Sequence, residues 1–194
     1  MKIQDDWRRD SNSYKQACRA SGLCKTCSYL FLYLLTLQPK TWAQQERNYT
    51  IQANIIYRFT KYIDWPKNKK TGDFIIGIVG DSPLTSELKN FVSNKMVGTQ
   101  PIIVKRFSSS SENYNCHILF ISEEMSSNIK KIVLRTAGEH ILLVSESEGM
   151  AVKGSCINFV IVSDHLKLEI NKNIIEQRNL GIASELLQLV KIVK

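Results

Sequence analysis

The sequence predicts an α/β fold: a single domain on a mostly parallel sheet of about five to six strands, with helices on both faces and a C-terminal hairpin plus helix. Three observations carry this reading. Phe74 to Val79, Cys116 to Ser122 and Ile141 to Val144 are short apolar runs, the pattern of strands covered on both faces. Helical stretches alternate with them, which calls for parallel pairing through right-handed crossovers. The last two runs, Ile157 to Val162 and Leu166 to Ile170, are joined only by Ser163-Asp164-His165 and read as a hairpin.

The elements follow in order. Between Asn48 and Trp65, Ile51, Ile55, Phe59, Tyr62 and Ile63 recur at helical steps, predicting one apolar stripe. Pro66 disfavours helix at the residue before it, so the helix stops near Trp65. After the strand at Phe74, Asp81 or Ser82 is placed to cap a helix that begins at Pro83 and buries Leu84, Leu88, Phe91 and Val92. Pro101 to Phe107 reads as the next strand. Ser126 or Ser127 then caps a helix carrying Ile129, Ile132, Val133 and Leu134 inward, with Gly138 at its C-terminal turn. The last 24 residues read as helix.

The chain has 194 residues, 26 Lys plus Arg, 18 Asp plus Glu and a formal charge of +8. Much of that basicity lies in residues 1–43, which read as a removable signal peptide. Cys27 to Leu37 is an 11-residue apolar run, the length of an h-region and too short to span a bilayer as a helix. Thr41 and Ala43 suit a cleavage site that leaves residues 44–194 as the mature domain. The expected mature part holds 19 basic and 15 acidic residues, a balance of +4 that gives little support to a nucleic-acid partner.

Catalytic patterns are weak. Gly77-Ile78-Val79-Gly80-Asp81 is neither a dinucleotide nor a P-loop fingerprint, and Asp81 opposes an anion. Cys116 and His117 are adjacent in a strand and so point to opposite faces, unsuited to act as nucleophile and base. His140 and His165 read as loop and turn residues. Glu123, Glu124, Glu146 and Glu148 follow the third and fourth strands and read as solvated charge. Cys24 and Cys27 lack the second pair of a zinc knuckle. No cofactor, metal or catalytic residue is expected. Cys116 and Cys156 remain after cleavage; in an oxidising compartment they are candidates for a bridge closing a loop of about 40 residues, with two buried free thiols as the alternative.

Several segments together resemble the YfiR family. The opening Ile55-Ile56-Tyr57-Arg58-Phe59-Thr60-Lys61-Tyr62-Ile63-Asp64-Trp65-Pro66 is the most specific. Ile76 to Pro83, Cys116 to Ile121, Ile157-Asn158-Phe159, Leu168 to Asn171 and Leu186 to Leu189 follow in the family's order, over roughly residues 48 to 191. The resemblance implies a periplasmic, non-enzymatic regulator. It restrains an inner-membrane diguanylate cyclase or another membrane sensor, with redox state and an outer-membrane lipoprotein relieving the restraint, and it self-associates as a homodimer. It also implies a bridge from the Cys116 position to the first strand, where this chain carries Gly77 or a neighbour instead of cysteine. Tyr57, Arg58, Lys61 and Trp65 are the candidate partner surface, since interfaces favour aromatic and Arg anchors. The alternative reading is a periplasmic module that binds a small ligand at the carboxyl ends of the strands.

Overall fold

A computed structural model describes residues 42–111, 113–163, 165–188 and 191–193. The apolar run of the expected leader, Cys27 to Leu37, lies outside the described residues. Gln45–Lys194 forms one compact unit.

Helix α1 (Trp42–Tyr62) contains no Gly or Pro and runs into the two-residue strand β1 (Ile63–Asp64). Pro66 restricts Trp65 and closes off further helix. The stripe is rotated from the expected one: Ala53, Ile56 and Phe59 are fully buried, Ile55 is half-buried and Ile51 is 50% exposed. Phe59 sets the true inner face by stacking on Phe159, ring centroids 6.4 Å apart.

The main sheet has eight strands: β2 (Phe74–Val79), β3 (Met96–Val97), β4 (Gln100–Phe107), β5 (Ile118–Ile121), β6 (Leu142–Ser145), β7 (Ile157–Val162), β8 (His165–Asn171) and β10 (Lys191–Val193). Their order is β10-β8-β7-β6-β5-β2-β4-β3. The stretch from β7 to β4 is parallel, with Ile76 beside Ile118 and Ile118 beside Leu142. β8 returns antiparallel to β7, the expected hairpin, with Phe159 opposite Leu168. Ser163 takes a positive φ of 50° in its turn.

Helix α2 (Leu84–Val92) links β2 to β4, and α3 (Ile129–Arg135) links β5 to β6 in the opposite direction along the sheet. Right-handed crossovers in opposite directions place α2 and α3 on opposite faces. Contact between Tyr57 and Phe91, centroids 5.8 Å apart, joins α1 to α2. The helix starts at Leu84 with Pro83, not Asp81 or Ser82, at its N-cap position, and Ser82 Oγ accepts from the Leu84 N–H at 3.2 Å from one residue further out. Ile129 and Ile132 are buried as expected, whereas Leu134 is 76% exposed. The short helix begins only after a 3-10 segment, Glu123–Asn128, which turns its phase and carries Leu134 outward.

The C-terminal segment departs most from the sequence reading. Instead of one long helix it holds α4 (Lys172–Gln177), β9 (Gly181–Ile182), α5 (Ser184–Gln188) and β10. Asn171 Oδ1 accepts from the Ile174 N–H and starts α4, and Asn179, at a φ of 53°, lies just beyond its end. β9 pairs with β1, Ile63 opposite Ile182, in a separate two-stranded sheet.

Candidate functional site

That small ladder forms one wall of a cleft. It binds the end of α1 to the C-terminal segment, reinforced by the Ala183 N–H donating to the Tyr62 carbonyl at 2.9 Å. Gly181 lies close against Asp64, where a Cβ would sit 3.2 Å from the Asp64 Cβ. Between this ladder and the amino-terminal ends of β2 and β4 lies a cleft of about 730 Å³. Trp65 and Phe74 line it, packed edge to face at 5.1 Å, with Lys61, Lys69, Lys70 and Asp64 around them.

Three lysines and one carboxylate give the cleft a positive field. Lys70 Nζ pairs with Asp64 at 2.7 Å, and Lys61 Nζ lies 5.7 Å from the centre of the Tyr57 ring. Trp65 is only 5% exposed, and among the described residues its indole N–H has no hydrogen-bond partner. A buried, unpaired donor normally costs ~1–3 kcal/mol.

Behind this wall His117 fixes the geometry. Its ring stacks on Phe74 at 4.3 Å. The Ile75 N–H donates to Nδ1 at 3.0 Å, so Nδ1 carries no proton, and Nε2–H donates to the Lys69 carbonyl at 2.8 Å. Gln100 Nε2 donates to the carbonyls of Lys69 and Thr71, so the loop that carries the lysines is held from two sides. Burial pushes the His117 pKa below its usual 6.5; the Lys69 carbonyl opposes that shift and the Lys69 charge adds to it. Since the folded value is depressed, the unfolded chain binds the proton more readily. Stability is therefore present above about pH 6.5 and is lost as pH falls through the folded value. Urea denaturation at pH 7 and pH 5 is expected to show this loss in the wild type and a smaller one in His117→Gln; equal losses would remove His117 as the cause.

The candidate partner surface divides. Arg58 and Lys61 are exposed on α1, with Arg58 Nε donating to Asn54 Oδ1 at 3.0 Å. Tyr57 is half-buried against Phe91. Trp65 is not an exposed anchor; β1–β9 pairing and Phe74 enclose it, and it faces the cleft region instead of bulk solvent.

Cys116 and Cys156 are two free, buried thiols. Desolvation pushes Cys116 up to about 12, opposed by the Lys69 charge, and Cys156 up to about 11, opposed by the Arg178 charge. Both are expected to resist iodoacetamide in the folded protein and to alkylate fully in urea without reductant; a mass showing no alkylation in urea would report a bridge instead.

His140 Nδ1 lies 3.0 Å from the Arg178 carbonyl and His165 Nδ1 2.6 Å from the Ser163 carbonyl, both local structural bonds. Among the described residues no group of three or more His, Cys, Asp or Glu is placed to hold a metal ion, and no helix is long and apolar enough to cross a membrane. The cleft escaped sequence reasoning because it depends on a two-residue ladder between segments more than a hundred positions apart.

The described residues thus form an α/β domain with an aromatic-walled cleft bordered by three lysines and one aspartate. The chain belongs to the YfiR/HmsC-like family, whose model matches residues 49–191. That family comprises regulatory, non-catalytic proteins of the periplasm that act on membrane signalling partners. A search of curated proteins finds no match to this chain.

Proposed function

We propose that the protein is exported, loses residues 1–43, and acts as a homodimer that binds the periplasmic part of an inner-membrane signalling protein and restrains it. The partner is a diguanylate cyclase or another sensor, with an outer-membrane lipoprotein able to relieve the restraint. The family match over nearly all of the expected mature domain carries this reading. The exposed cationic pair Arg58 and Lys61 beside Tyr57 supports α1 as the docking face, because charged rims set partner choice and association rate.

Reversing both charges, with Arg58→Glu and Lys61→Glu together, is expected to weaken recovery of the membrane partner by crosslinking at least tenfold. The melting temperature should stay within a few degrees, since exposed pairs contribute little to stability. Cells carrying the variant should show raised cyclic di-GMP output if the partner is a cyclase. Undiminished crosslinking would move the interface elsewhere.

A second reading is favoured by one observation: the 730 Å³ cleft lined by Trp65 and Phe74 has the volume of a small-molecule site. It lies at the amino-terminal ends of β2 and β4, not at the carboxyl ends where ligands of such sheets were expected. A ligand retained through native mass spectrometry, and lost on Trp65→Phe, would support this reading.

A further inference from the structure

The face of the sheet opposite α1 and α2, covered by α3, carries a surface that no reading so far uses. Of the exposed large apolar side chains among the described residues, Leu134 at 76% and Val152 at 75% are the most exposed, and both stand on this face. A solitary apolar side chain in water is ordinary, whereas two from neighbouring segments, set among cations, mark a surface of interaction.

Three contacts bring these segments together. Gly154, at a φ of 112°, approaches α3 so closely that a Cβ there would lie 2.9 Å from Val133 Cγ2. The loop that holds Val152 and Lys153 is therefore seated beside the turn of α3 that holds Leu134. Asn171 Nδ2 donates to the Ala151 carbonyl at 3.0 Å, and the Arg178 guanidinium donates to the Thr136 carbonyl at 2.9 Å, so the two ends of α4 hold the loop and the end of α3. Met150 and Ala151 of the loop are buried, as are Ile129 and Ile132 on the inner side of α3. Leu134 and Val152 thus project from a fixed platform.

The charge around them has one sign. Lys130 and Lys131 precede Leu134 by four and three residues, which places all three on the outer side of α3, and Lys153 follows Val152; the three lysines are exposed. None of them belongs to an ion pair among the described residues. Lys172 at the start of α4 is neutralised by Glu176 at 3.4 Å, and exposed Glu139 stands beyond the end of α3.

The composition selects the occupant. Protein interfaces favour aromatic side chains and arginine and are depleted in lysine. Here the projecting residues are aliphatic and the free cations are all lysine. The arginine of α3, Arg135, is instead committed to the carbonyls of Ser109 and Ser111, at 3.0 Å each. Lysine is a point charge on a flexible apolar stem, suited to a fluid array of phosphates and not to one fixed partner. We propose that this face rests on an anionic lipid surface, with Leu134 and Val152 entering the headgroup layer and Lys130, Lys131 and Lys153 paired with lipid phosphates. Docking this way leaves Arg58 and Lys61 on α1 turned from the bilayer.

The test is flotation of the purified protein with vesicles of phosphatidylcholine alone or of phosphatidylcholine with phosphatidylglycerol. The expected result is binding to the anionic vesicles only, weakened by added salt. Lys130→Glu, Lys131→Glu and Lys153→Glu together should weaken it at least tenfold, and Leu134→Ser with Val152→Ser at least threefold, each with a melting temperature within a few degrees of wild type. All these proteins share one N-terminus, so a retained apolar leader contributes equally to each. Arg58→Glu with Lys61→Glu should float as wild type does, which separates this test from that of the α1 surface. No binding of the wild type to anionic vesicles, or equal binding by wild type and both variants of this face, overturns the proposal. Variants of this face that float normally but lose a crosslinked protein would assign it to a protein partner and equally overturn the lipid reading.

Discussion

Phe59→Ala is expected to destabilise the domain by about 3–5 kcal/mol, the largest loss of any single truncation in α1. The ring is fully buried and stacks on Phe159 at the hairpin. Removing it deletes contacts on both sides of the interface between α1 and the sheet. Because the whole domain is stable by only ~5–15 kcal/mol, the change consumes a large share of the total. Urea titration should show a lower midpoint with an unchanged slope, whereas Ile51→Ala, at a half-exposed position on the outer face, should cost under about 1 kcal/mol. A loss for Phe59→Ala as small as that of Ile51→Ala would mean that α1 is not seated on the sheet as described.

Arg178→Ala should cost about 2–4 kcal/mol through a different mechanism. Arg178 is 6% exposed, and its guanidinium donates to the Thr136 carbonyl at 2.9 Å and lies 3.1 Å from Thr136 Oγ1. Thr136 caps the C-terminal end of α3, where carbonyls lack intrahelical partners and the helix dipole favours a cation. The charge is therefore held by a helix end, and among the described residues no carboxylate lies within ion-pair distance of it. Truncation to alanine removes the donors and leaves a void. Arg178→Met keeps most of the volume and is expected to recover part of the loss, since a well-packed apolar group can replace a buried charge at little cost. Thermal unfolding of the two variants separates packing from hydrogen bonding, and identical losses would assign the whole effect to the missing donors.

How much of this was legible in the sequence varies element by element. Phe74 to Val79 and Cys116 to Ser122 were readable as strands because both of their faces are covered, which leaves an uninterrupted apolar run. The hairpin was readable from the short turn at Ser163. Leu134 was misplaced because the 3-10 segment before α3 shifts the helical phase, and periodicity counted from a serine cap cannot detect that shift. Ile51 was misplaced for a related reason: Ala53 and Gln52 take inward positions that an apolar count does not credit. The final residues read as helix because Leu186, Leu187 and Leu189 dominate them, yet β9 forms where β1 offers it a partner. Such a short strand has no sequence signature; its pairing is a tertiary event.

Local patterning alone determined the alternation of strand and helix, the hairpin, and the family segments from Ile55 to Leu189, because each rests on burial within a few consecutive residues. Tertiary structure decided the cleft and the buried polar contacts between distant elements. The basic cleft exists because β9 meets β1, and a buried polar contact forms because Gln52 on α1 is brought to Glu146 just after β6. Contacts between residues so far apart in the chain depend on loop closure and packing, which no local spacing encodes.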